Sequence, residues 1–201
     1  MDTVELVQAL RQAFADAGEP DEYQWLPADP SKAFIVCIGA GPWKLPRREA
    51  VQKKALAWLG DRQIEMLTEV NCFPLVWQNR YVSNLAVYLR KTKQSMEAFC
   101  RSITKLSHPT LGVQQVHQAV GCKTSKAVSL FCRDFLHVAS FPIDRHVQRW
   151  LEKYGLPVDE EKMIKLCMKA DLDPCKVAKA FFQANFENFT FSKIANPDHR
   201  D

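Results

Sequence analysis

An all-α fold is predicted by three features of this 201-residue chain. It holds only 7 Gly beside 11 Pro. No run of alternating β-branched residues occurs, and apolar residues recur at helical spacing in one segment after another, with prolines marking the turns between them. At 47% hydrophobic residues, the chain has apolar surface enough for one large core or two smaller interleaved ones, which excludes a disordered polypeptide.

The elements follow in order. Val4, Leu6, Val7, Leu10 and Phe14 line one face of an amphipathic helix over Thr3–Ala17, which Gly18-Glu19-Pro20 stops. Residues 21–46 read as irregular because of Pro27, Pro30, Pro42 and Pro46. Within them the run Ala33-Phe34-Ile35-Val36-Cys37-Ile38 fits a buried strand or a core helix, and periodicity does not separate the two. Further helices are predicted over 48–59, 61–70, 74–89 and 95–106. Short connections favour a helical bundle.

The formal charge of +4 is compatible with a polyanionic partner without identifying one. No apolar stretch approaches the roughly 20 residues a membrane-spanning helix needs. The opening Met1-Asp2-Thr3-Val4-Glu5 lacks the basic and then apolar order of a secretory signal. A soluble, intracellular, monomeric protein is expected. Seven cysteines stand at 37, 72, 100, 122, 132, 167 and 175 with no CxxC pair. That pattern predicts thiols in a reducing compartment, with neither disulfides nor a metal site.

The stretch from Leu111 to Leu151 carries the chemistry. Val113 and Val116 prepare a short helix, Ala119-Val120-Gly121-Cys122 makes a turn, and a second helix is expected from Lys123. Such a hairpin points backbone N–H groups and the positive end of a helix outward, which suits a phosphate without base preference. At about 100° per residue, Lys123 falls within roughly 50° of the centre of the stripe Ala127, Leu130, Phe131 and Phe135, whereas Lys126 lies about 110° away. Lys123 is thus aimed inward, where desolvation and the helix dipole favour a neutral, nucleophilic amine. Downstream, Pro142-Ile143-Asp144-Arg145-His146 reads as a helix start with Asp144 as its cap.

Val120-Gly121-Cys122-Lys123, an apolar helix, and then Ile143-Asp144-Arg145-His146 together resemble the helix-hairpin-helix (HhH-GPD) superfamily of base excision DNA glycosylases. The Ile-Asp-Arg-His form is most similar to the small, largely archaeal second group of 8-oxoguanine DNA glycosylase/AP lyases. The resemblance implies two helical subdomains with the active site in the cleft between them. It implies that Lys123 attacks the anomeric carbon of a damaged nucleotide, displaces the base and forms a Schiff base, after which β-elimination breaks the strand. Asp144 would stabilise the charge developing on the sugar or assist proton removal from the lysine. Ala119, Gly121, Cys122, His146 and Arg149 would meet DNA. Trp43, in a Gly/Pro loop, and the aromatic series Phe181, Phe182, Phe186, Phe189 and Phe191 would supply the base pocket or the wedge that fills the vacated stack; core packing is the ordinary alternative for the phenylalanines. The implied partner is double-stranded DNA containing a damaged base, and the lysine chemistry needs neither metal nor cofactor.

The expected organisation is an N-terminal helix and irregular segment (1–45) packing with the C-terminal helices, a bundle (46–143) containing the hairpin at about 111–136, and the Asp144 helix with its successors (144–201). Three features depart from the family pattern. The usual first glycine of the hairpin is Ala119; 21 positions separate Lys123 from Asp144; and only Cys167 and Cys175 follow, too few for a four-thiolate iron-sulfur cluster. The rival nucleophile Lys126 shortens the gap but gives up the glycine alignment and the inward phase. Two other functions remain open: a monofunctional glycosylase in which Asp144 activates water, and a non-catalytic hairpin that only binds DNA.

Overall fold

The computed structural model describes residues 2–22, 24–39, 45–68 and 79–184. Ten α-helices and one 3-10 turn, with no strand, make up the described residues. The all-α expectation therefore holds. They fall into two units, Met1–Trp25 with Ala139–Asp201, and Leu26–Val138.

The first unit starts with α1 (Thr3–Ala17), which has a reciprocal cap. Asp2 Oδ1 accepts from Val4 N at 2.8 Å and from Glu5 N at 2.9 Å, while Glu5 Oε2 accepts from Asp2 N at 2.8 Å. Its other helices are α8 (Arg145–Lys153), α9 (Glu160–Lys169) and α10 (Pro174–Gln183), each opened by an aspartate cap: Asp144, Asp159 and Asp173. α1 packs on α9 and α10, and α10 also on α8. Trp150 Nε1 donates to the Ala13 carbonyl at 3.2 Å, and the fully buried rings of Phe141 and Phe181 meet edge to face at 6.0 Å. Burial of each such ring contributes about 2–3 kcal/mol.

The second unit holds α2 (Pro30–Gly39), α3 (Leu45–Leu59), a 3-10 turn (Ile64–Met66), α4 (Asn79–Thr92), α5 (Met96–Thr104), α6 (Leu111–Ala119) and α7 (Lys126–Asp134). The ambiguous run at 33–38 is a core helix. Pro30 stands at its start, where a missing N–H costs nothing, and Asp29 Oδ1 accepts from Lys32 N at 2.8 Å. Every residue from Ala33 to Gly39 is buried, and α2 packs on α3, α5 and α7. Phe34 meets Phe131 edge to face at 5.2 Å.

Residues 21–46 are not irregular throughout as expected, since α2 occupies their middle. The helix expected over 61–70 is, in its described part, one 3-10 turn, because Gln63 is extended (ψ 150°) and Arg62 turns back to donate to the Trp58 and Leu59 carbonyls at the end of α3. Ile64 and Leu67 are still buried, so their three-residue spacing is met by 3-10 geometry. The units divide after Trp25 and Val138, rather than after residues 45 and 143, because α2 is built into the hairpin unit. No helix of the described residues is long and apolar enough to cross a membrane.

Candidate functional site

The hairpin begins where α6 stops. Gly121 has φ +69°, its N–H donates to Gln118 O at 3.1 Å, and Cys122 N donates to His117 O at 3.0 Å. This pair of bonds closes α6 with a left-handed residue at the position after the cap, which explains the glycine. A Cβ there would also stand 2.5 Å from Nδ2 of Asn84, whose amide donates to the Val120 carbonyl at 3.0 Å. Ala119 is the last residue of α6, its methyl group is buried, and its φ is not positive. An alanine thus needs no special backbone angle there.

Lys123 is placed differently from the expectation. Thr124 and Ser125 follow it outside any helix, Ser125 is the extended N-cap (φ −157°, ψ 118°), and α7 starts at Lys126. Lys123 is therefore a turn residue, and it is exposed. The inward phase assigned to it assumed a helix that in fact begins three residues later, so neither burial nor a first-turn position acts on it. Lys126 is the lysine at the first position of α7. It too is exposed, whereas Ala127, Val128, Leu130 and Phe131 behind it are buried. The first turn of α7 carries no acidic residue, and Ser125 makes no side-chain cap bond. Positive charge and helix-terminal N–H dipoles thus gather on one end of the hairpin. Ser129 Oγ, 3.4 Å from His117 Nε2, ties α7 to α6.

In the other unit, Asp144 caps α8. Its Oδ1 accepts from His146 N and Val147 N, both at 2.9 Å, and the side chain is half-buried. The cap fixes the carboxylate's position while α8 gains two satisfied amides. The approach to Asp144 is fixed as well, since Phe141 is fully buried and Glu160, at the first position of α9, accepts from Ser140 Oγ and Phe141 N. His146 is half-buried and meets Phe182 edge-on at 6.5 Å, and Arg149 is exposed. Lys123 and Lys126 belong to one unit and Asp144 to the other.

Phe181 is a core residue, as the packing alternative has it, and Phe182 is half-buried. Trp43, Phe186, Phe189 and Phe191 lie outside the described residues. Burial pushes the Cys100 and Cys167 thiols up to about 12 and Cys37 well above the ordinary thiol range. No group of three or more His, Cys, Asp or Glu able to hold a metal occurs among the described residues. Local spacing did not reveal Asn84 and Glu160, because each acts on a backbone segment 36 or 19 residues away. No protein-family model, curated protein or solved structure matches the chain.

Proposed function

We propose that the chain is a base excision DNA glycosylase with AP lyase activity that acts on double-stranded DNA carrying an oxidised purine, 8-oxoguanine being the substrate implied by the resemblance. The observation that carries the reading is a lysine at the first position of the helix after a glycine hairpin, 18 residues ahead of an aspartate that caps a later helix. That lysine is Lys126. Lys126 is favoured over Lys123 because the inward phase of Lys123 requires a helix that starts there, whereas α7 starts at Lys126. The shorter interval to Asp144 also removes most of the spacing anomaly.

The amine of Lys126 attacks the anomeric carbon, the bond from that carbon to the base breaks with its electron pair going to the base, and the base takes up the proton that the attacking nitrogen gives up. The ring C–O bond then breaks with its electron pair going to oxygen, which takes a proton from water to become a hydroxyl, leaving an iminium; loss of a proton from the neighbouring carbon expels the 3′ phosphate by β-elimination. Asp144, held by two backbone N–H groups, stabilises the positive charge that develops on the sugar. Lys123 grips a phosphate from the turn, and the exposed Arg149 supplies another cation on the helix that Asp144 caps.

Borohydride trapping on duplexes with single lesions, 8-oxoguanine among them, tests this. A covalent adduct is expected with the wild-type chain and with Lys123→Gln, and none with Lys126→Gln. An adduct that survives in Lys126→Gln and vanishes in Lys123→Gln returns the nucleophile to Lys123. Base release without any adduct establishes a monofunctional enzyme, and neither release nor adduct on any lesion rejects the enzymatic reading.

A further inference from the structure

We propose that Asn84 is a positioning residue for the DNA grip, acting from α4 on the hairpin turn that carries Lys123; the inference rests on the DNA-binding reading above. The turn is held from one side by its own helix, through the bonds of Gly121 N and Cys122 N to α6. From the other side it is held by the Asn84 amide, which donates to Val120 O at 3.0 Å. Val120 is the C-cap of α6, so its carbonyl is one of those a helix end leaves without an intrahelical partner. Asn84 satisfies it and fixes the direction in which the chain leaves toward Lys123.

The fit is close on both sides of that bond. Gly121 leaves room for the amide, since a Cβ there would come within 2.5 Å of Nδ2. The same face of α4 continues the basic surface. Arg80, one helical turn before Asn84, is exposed, as are Asn84 and Lys91. The guanidinium of Arg80 lies over the Tyr81 ring, 5.1 Å from its centroid. Asn84 therefore joins the turn to a helix edge bearing its own cation. Its role is to set where the Lys123 ammonium stands relative to a phosphate, and it takes no part in the chemistry on the sugar.

The test uses the full chain and a double-stranded oligonucleotide, with affinity measured across a range of salt concentrations. Asn84→Asp keeps the shape but sets a carboxylate against the Val120 carbonyl, and should weaken binding about tenfold or more. Asn84→Ala should weaken it less, because water can then reach the carbonyl. If Asn84 acts through Lys123, the salt slope of Asn84→Asp should fall by about 0.9, the contribution of one phosphate contact. Combining Asn84→Asp with Lys123→Ala should then cost no more than the worse single change. Borohydride trapping at saturating DNA should stay at the wild-type level. Wild-type affinity and slope in Asn84→Asp, or fully additive losses in the double variant, overturn the proposal alone. A wild-type chain that does not bind duplex DNA overturns the DNA-binding reading and this inference with it.

Discussion

Glu160 Oε1 lies 2.8 Å from the Ser140 hydroxyl, and the same oxygen receives the Phe141 backbone N–H at 2.8 Å. Ser140 and Phe141 are fully buried, so both donors would lose this partner away from water if the carboxylate were removed. Glu160→Ala should destabilise the chain by about 1.5–3 kcal/mol, the range for hydrogen bonds to a charged group. Glu160→Gln keeps an acceptor oxygen in place and should cost about 1 kcal/mol. Urea unfolding of the two variants checks the order; equal losses would show that the acceptor is not what holds the segment.

Asp144 combines a structural and a proposed chemical task, and substitution separates them. Asn is as good an N-cap as Asp, so Asp144→Asn should keep stability within about 0.5 kcal/mol, while Asp144→Ala should lose about 1–2 kcal/mol. Excision should drop in both, because neither retains a negative charge for the sugar. Thermal unfolding beside a lesion-cleavage assay reads the two effects independently. Full excision by Asp144→Asn would reduce Asp144 to a cap.

The legible parts of the fold are those where burial is one-sided. α1 has polar residues opposite Leu10, Ala13 and Phe14, and its bounds follow from that alternation and from Gly18. α2 is buried on all sides, so its sequence has no polar face to give it a period; the available sign was Asp29-Pro30, a cap followed by a proline. The start of α7 is a similar case. Ser125, ahead of Ala127, Val128, Leu130 and Phe131, marks an N-cap, and reading it so puts Lys126 and not Lys123 at the helix start. Asn84 and Glu160 had no local sign, because what they do depends on which distant carbonyl or N–H the fold brings to them.

Gly121→Ala should be among the costlier small changes in the hairpin unit. A left-handed backbone strains alanine by about 1 kcal/mol, and the new methyl group must also push Asn84 aside and break its bond to Val120, for a total of about 2–3 kcal/mol. Gly60 supplies the control: its φ is +59°, yet nothing lies within 4 Å of where an added methyl group would stand, so Gly60→Ala should carry the strain alone. Denaturant midpoints of the two variants give the comparison, and equal shifts would mean that Asn84 yields without loss.

The contact between Tyr154 and Asp16 predicts a stability contribution confined to a window of pH. The phenol donates to Asp16 Oδ2 at 2.5 Å, which holds the Asp16 carboxyl below its ordinary value and raises the Tyr154 phenol above its own. For Asp16 the folded value is the lower one, so its contribution is present above about pH 4 and is lost as pH falls through the folded value. For Tyr154 the folded value is the higher one, so its contribution is present below about pH 10 and is lost as pH rises through the folded value. Both groups are solvent-facing and screened, which keeps the effect small. The difference in melting temperature between the wild-type chain and Tyr154→Phe should therefore be positive and level from about pH 5 to pH 9 and shrink on both sides. A difference near zero at every pH would mean that the hydrogen bond adds nothing and that Tyr154 contributes through its ring alone, packed 5.5 Å from Trp150, a contact that phenylalanine keeps.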